Sequence, residues 1–335
     1  IEPSPGDYST AALSHYRSML ECCIDHGLKP FVTLHHFTSP IWLAQQGGWG
    51  SDETPGKFAG YTERVVKDLG DLIAGICTIN EVNIGRVLTA NGVMPPLEKI
   101  QASQGWLEAS ARLGVSPSTF LPFMFTVTDD SMEVVMRAHH QAVAKIRSLN
   151  NDIPCGATLA VQDMQSVPGG EELTAQHEAQ VNNVYLSQLG ADDFVGVQCY
   201  TRHRFNAQGP ELAEAGVELT QMGYEFWPEA LEASIRKAHS VSGLPVLVTE
   251  NGVATENDAR RQAFIARALN GVANCLVDGI PVLGYTYWSA LDNFEWMLGY
   301  RPKFGLIGVD PLTQQRIVKP SAKWLGAIAR SGGIA

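Results

Sequence analysis

Long apolar runs, basic clusters, paired cysteines and repeats are all scarce in this 335-residue sequence, and each shortage excludes something. No apolar run approaches the roughly 18 residues of a membrane-spanning helix. No charged start followed by an apolar segment marks an export signal. The six cysteines (Cys22, Cys23, Cys77, Cys155, Cys199, Cys275) form no C-x-x-C pair and lack the density of a small disulfide-stapled scaffold, so reduced thiols in a cytoplasmic protein are expected. Lysine and arginine total 24 against 35 acidic residues, a net charge of −11 without a basic run. That balance argues against nucleic acid and against anionic membranes, and suits a neutral small molecule. Without an H-E-x-x-H or a Cys/His cluster, no metal site is expected. Repeats and low-complexity segments do not compete with a globular reading.

What is present alternates. Leu13, Tyr16, Leu20 and Ile24 recur at helical spacing before Gly27, and Phe31 to His36 reads as a strand. Thr54-Pro55 opens a helix, and Ala74 to Asn80 reads as the next strand. An excursion from Val82 to Asp129 carries a helix near Leu97 to Leu113 and an aromatic loop, Phe120 to Phe125. Asp130-Ser131 is expected to cap a helix reaching Ile146, followed by a strand from Cys155 to Val161, a helix from about Glu171 to Leu189 and a strand from Phe194 to Tyr200. Pro228 to Val241 reads as helical, and the apolar run that follows ends in Glu250, with Asn251-Gly252 expected as its turn. A helix from Asn257-Asp258, a strand from Ile280 to Trp288, a long aromatic loop and a helix near Ser321 to Arg330 complete the chain. Short apolar strands alternating with helices imply an α/β fold with a parallel sheet, of (β/α)8 TIM-barrel type. About six units are counted where a closed barrel has eight. Residues 1–335 are therefore read as one barrel domain, N-terminally incomplete, with roughly two units missing from the front.

Polar groups gather at one end of these strands. His35-His36, Asn80-Glu81, Gln198 with Tyr200, Glu250 and Trp288 all sit at C-terminal ends, where barrels of this class build active sites. The paired histidines point to opposite faces, so at most one faces the site. Asp292, Asn293 and Glu295 follow just beyond Trp288. Either Glu81 or Glu250 alone reads better as a rim carboxylate paired with a helix-end Lys or Arg. Two together suit glycoside hydrolysis, in which one carboxyl protonates the leaving oxygen and the other meets the developing oxocarbenium carbon. Trp42, Trp49, Trp288, Trp296, Phe294, Phe304 and Tyr300 offer surfaces on which sugar C–H faces could stack.

In this setting the chain resembles glycoside hydrolase family 1, the retaining β-glucosidases and β-galactosidases. The resemblance is carried by P-F-V-T-L-H-H-F-T-S-P-I-W-L with G-G-W (Pro30 to Trp49), T-I-N-E-V (Thr78 to Val82), D-F-V-G-V-Q-C-Y-T (Asp193 to Thr201), V-T-E-N-G (Val248 to Gly252), and G-Y-T-Y-W-S-A-L-D-N-F-E-W with G-Y-R-P-K-F-G-L (Gly284 to Leu306). It implies that Glu81 is the acid/base and Glu250 the nucleophile, and that Asn80 holds the 2-hydroxyl. Tyr200 would hydrogen-bond the nucleophile, while His36, Glu295 and Trp296 meet the sugar hydroxyls and Trp288 stacks beneath them. Phe304 is grouped with these substrate-binding residues. Glu295 would repel a 6-phosphate, favouring unphosphorylated β-glucosides or related sugars. Departures from the family pattern are Val82, Gln198, Cys199 and Lys303. Relative to the family, the first strand and nearly all of the second are absent, and with them a glycone-binding Gln and an Arg beside the nucleophile. Two functions are therefore expected as alternatives. One is a retaining β-glycosidase without cofactor, acting on a small β-glycoside or short oligosaccharide. The other is a catalytically impaired relative that binds sugar or self-associates as a homo-oligomer through exposed barrel edges.

Overall fold

Apolar runs and capped helices alternate as the sequence implies in the computed structural model, which describes residues 1–333, and they collect into two compact units. The first comprises Ile1–Ala160 and Ala179–Val195, the second Val161–Glu178 and Gly196–Ala335.

In the first unit β1 (Phe31–His35), β2 (Gly75–Ile79) and β3 (Cys155–Gly156) lie side by side and parallel. All of β2 is buried, as expected for a strand covered on both faces. The strand expected from Cys155 to Val161 is split, with β4 covering Thr158–Ala160. Between the two, the Ala157 N–H donates to Asp192 Oδ2 at 3.0 Å, which takes it out of the ladder. The other carboxylate oxygen of Asp192 lies 3.1 Å from His139 Nε2, and His139 Nδ1 lies 2.8 Å from Thr78 Oγ1. This fully buried chain of polar groups pins helix Asp129–Leu149 to β2.

Capping residues fix where helices begin. Ser9 accepts from the Ala12 N–H at the start of Thr10–Asp25. Thr128 and Ser131 form a reciprocal capping box, so the helix expected from Asp130-Ser131 starts at Asp129 instead. The segment expected as one helix from Leu97 to Leu113 is two, Leu97–Gln101 and Gln104–Leu113, because Ser103 caps the second. Helices Ile41–Gln45 and Ile84–Ala90 add to those expected.

In the second unit β5 (Asp163–Ser166) precedes β6 (Val195–Gln198), β7 (Arg202–Asn206), β8 (Gly209–Pro210), β9 (Val246–Glu250), β10 (Val282–Tyr285), β11 (Ile307–Val309) and β12 (Arg316–Val318). Strands β10, β9 and β6 are neighbours in that order, and β10 runs parallel to β9. The sheet β5-β7-β8 and the hairpin β11–β12 fall where the sequence reads as loop. The segment from Glu171 onward is helical to His177, then opens into a π-helical stretch over Glu178–Asn183 and closes with Val184–Leu186. Asn257 caps the long helix Asp258–Val277, accepting from Ala259 and Arg260. Inside that helix Arg261 is fully buried and donates to Asp258 and to the carbonyls of Thr255 and Lys303.

Candidate active site

The carboxylate-bearing segment of the first unit follows β2. Asn80 and Glu81 are 2% and 7% exposed, and Glu81 takes a left-handed backbone conformation (φ 45°). A non-glycine residue in that region is held there by its surroundings. Here the holders are Thr158, whose Oγ1 accepts from the Glu81 N–H at 2.9 Å, and the Thr158 carbonyl, which accepts from the Val82 N–H at 2.9 Å. The same Thr158 hydroxyl lies 3.4 Å from Asn80 Oδ1, and Asn80 Nδ2 lies 3.4 Å from His36 Nε2. Asn80, Glu81 and His36 are thus brought together at the ends of β2 and β1. Burial pushes the proton affinity of His36 down, leaving a neutral ring suited to hydroxyl partners.

The two histidines part as alternation requires. His35 is buried among Trp49, Phe58 and Phe123, with its Nε2 3.1 Å from Ser39 Oγ. Burial, aided by His36, pushes it down to about 3. Trp49, expected as a sugar surface, is 1% exposed and donates to Ser39 Oγ at 3.0 Å, so it belongs to the core.

In the second unit β9 ends on Glu250, which is 8% exposed. The Tyr200 hydroxyl donates to Glu250 Oε2. Phe304, 2% exposed, packs edge-on against the Tyr200 ring with centroids 5.8 Å apart and thereby fixes it. Burial raises the Glu250 carboxyl to about 8; the Tyr200 hydrogen bond opposes that rise and the charge of Glu295 adds to it. Among the described residues no Lys or Arg pairs with Glu250.

Asn251 and Gly252 do not form the expected turn. Asn251 is 1% exposed; its Nδ2 donates to the Cys199 carbonyl at 2.6 Å and its Oδ1 accepts from the Tyr285 hydroxyl at 2.9 Å. These bonds hold the chain after β9 against its neighbours on both sides. Gly252 is required by contact, because a Cβ there would lie 2.0 Å from the Trp288 carbonyl oxygen.

The loop after β10 carries Trp288, Glu295 and Trp296. Asp292 is structural: it pairs with Lys319 Nζ at 3.1 Å and accepts from the Gly305 N–H at 2.9 Å, closing the loop at its base. Trp288 is half-buried and Trp296 is 39% exposed, while Phe294 and Tyr300 pack edge-on, 5.2 Å apart, and remain exposed. Sequence reasoning passed over Thr158 and treated Asn251 only as turn-forming. An Asn directly after a buried strand-end Glu, opposite a tyrosine-rich strand, was the available signal for the latter.

Each unit thus carries a buried carboxylate after a strand: Glu81, next to Asn80 and its His36 contact, in the first, and Glu250, with its phenol donor, in the second. Among the described residues no group of three or more His, Cys, Asp or Glu is placed to hold a metal ion. No helix among them is long and apolar enough to cross a membrane. The chain matches the profile of glycosyl hydrolase family 1 over residues 3–189 and 159–334. It belongs to that family. A β-galactosidase from Sulfolobus acidocaldarius is 28% identical over 366 aligned residues, covering 96% of this chain and 70% of its own length. A solved β-glycosidase structure superposes with a TM-score of 0.96 at 49% identity, over 100% of this chain and 81% of that one. The apo structure of a β-glucosidase gives 0.92 at 40% identity, over 100% and 82%. The fold is accordingly the α/β, TIM-barrel type of family 1, in a chain shorter than these relatives, and the protein is a glycoside hydrolase of the β-glucosidase/β-galactosidase group.

Proposed function

We propose that this family 1 chain is a retaining β-glycosidase for unphosphorylated β-glucosides or closely related sugars, in which Glu250 is the nucleophile and Glu81 the general acid/base. In the first step the Glu250 carboxylate forms a bond to the anomeric carbon as the glycosidic C–O bond breaks and Glu81 gives its proton to the departing oxygen. In the second, Glu81 takes a proton from water, the water oxygen attacks the same carbon, and Glu250 leaves, restoring the β configuration. The observation that carries this reading is Glu250 itself: a buried carboxylate ending a strand, with a tyrosine donor and, among the described residues, no Lys or Arg paired with it. Such a group has little structural use and an evident chemical one.

Asn80 and His36 supply hydroxyl partners, Glu295 and Trp296 meet hydroxyls on the glycone, and Trp288 gives the sugar a stacking face. A phosphorylated sugar would bring its charge against Glu295. Proton NMR of nitrophenyl β-glucoside hydrolysis tests the proposal, since the β-anomer must appear first and Glu250→Gly must abolish turnover. First appearance of the α-anomer, or turnover that survives Glu250→Gly, contradicts it.

A second reading is favoured by two edge strands. Phe31 on β1 is 47% exposed and Leu283 on β10 is 58% exposed, each on the last strand of its sheet. Open edges are templates for pairing, and in this reading the chain self-associates or binds sugar without turnover. Light scattering on the eluting protein, with saccharide calorimetry, separates the two: a monomer that turns over substrate excludes the second.

A further inference from the structure

Glu295 lies on the loop between β10 and β11 with its main chain fixed on both sides. Its N–H donates to the Gly299 carbonyl at 2.8 Å and its carbonyl accepts from the Leu298 N–H at 2.9 Å. Its carboxylate is held separately. Asn293 Nδ2 donates to Glu295 Oε2 at 3.1 Å, and Asn293 Oδ1 faces Ser289 Oγ at 3.1 Å. The Ser289 hydroxyl also reaches the Leu291 carbonyl at 2.7 Å. Chemistry fixes which way the amide points, because the flipped form would set an oxygen acceptor against the carboxylate. Among the described residues no Lys or Arg pairs with Glu295, and Oε1 has no protein donor. One oxygen of this carboxylate is therefore tethered and the other is left for a ligand.

We propose that Asn293, backed by Ser289, is a positioning residue that tethers Glu295 by Oε2 and so aims Oε1 at the sugar, setting discrimination between glycosides that differ in the hydroxyls Glu295 meets. The proposal rests on the reading of Glu295 as a glycone contact. A carboxylate on a freely rotating side chain would accept from differently placed hydroxyls with little preference. The tether removes that freedom before the sugar arrives, and a charge-assisted hydrogen bond has the strength to do so.

The test is a double-mutant cycle on kcat and KM with nitrophenyl β-glucoside, β-galactoside and β-fucoside. Asn293→Ala should lower kcat/KM for the preferred sugar by about 10- to 100-fold, the scale of a lost hydrogen bond to a charged group. It should also change the ratio between sugars. Asn293→Asp keeps the shape but sets an acceptor against Glu295, so it should do at least as much damage; a packing role alone would leave it near wild type. In the Glu295→Ala background, Asn293→Ala should add less than about twofold. An unchanged sugar ratio, a near-wild-type Asn293→Asp, or losses that add fully in the double variant would overturn the proposal while leaving the glycosidase reading intact. A wild-type chain that neither hydrolyses these glycosides nor binds their sugars in calorimetry overturns both.

Discussion

The Tyr200 hydroxyl donates to Oε2 of Glu250, and among the described residues it is the only side chain that offsets the burial of that carboxylate. A glutamate raised to about 8 is mostly protonated at neutral pH, and in the proposed mechanism only its ionised form attacks carbon. The acid limb of kcat/KM should therefore climb through the neutral range toward about pH 8. Tyr200→Phe removes the donor that favours the ionised form. It should move that limb further alkaline and lower kcat/KM at neutral pH by about 10- to 100-fold. Profiles of both proteins with a nitrophenyl glycoside check this, and an unshifted limb in the variant would contradict the role given to Tyr200.

The same carboxyl bears on stability. Its folded value lies above the ordinary 4.5, so between about 4.5 and about 8 the folded chain holds a proton that the unfolded chain has released. Stability is then lost as pH rises through that window, and the cost is absent below it. Glu250→Gln removes the charge and keeps the shape. The variant should be more stable than wild type at neutral pH, by about 3 kcal/mol at most, with the gap closing near about pH 4. Urea unfolding across that pH range reads it. A variant less stable than wild type at neutral pH would show that Glu250 is held as a stabilised anion.

Gly252 tests the geometry beside Glu250. The Trp288 carbonyl is main chain and cannot rotate out of the way of a Cβ placed 2.0 Å from it. Gly252→Ala should cost about 1–3 kcal/mol in urea unfolding and reduce turnover, because strain there displaces Trp288 or Glu250. Wild-type stability and turnover in this variant would mean that the contact is soft.

Much of this was legible because burial leaves a plain trace. Apolar runs ending in Glu81 and Glu250 mark β2 and β9 in the sequence, since a strand covered on both faces has few polar positions until it emerges. His35 and His36 separate as strand alternation demands. What escaped notice was decided by distant partners. The break between β3 and β4 exists because Asp192, more than thirty residues along, captures one N–H. The strands β5 and β7 carry Asp163, Gln165, Arg202 and Arg204 and have no apolar pattern. Arg202 instead pairs with Glu225 at 2.8 Å and lies over the Trp227 ring at 3.6 Å. Asn251 looked like a turn residue because Asn-Gly usually is one, and only the positions of Cys199 and Tyr285 show it to be a buried clasp. The aromatic residues and the polar loop after β10 announced a site, but which of them are free to serve it depended on tertiary contacts: Asp292 went to Lys319, and Trp49, from the segment after β1, went to the core.

The central claim is that Glu250 becomes covalently bonded to the sugar. Incubation with an activated 2-deoxy-2-fluoro-β-glucoside, whose fluorine slows the release of the sugar more than its capture, followed by proteolysis and mass spectrometry, tests it directly. The account predicts one added fluoroglucosyl group, on the peptide containing Val248 to Gly252 and localised to Glu250. An active enzyme that stays unlabelled, or a label on another residue, would contradict it.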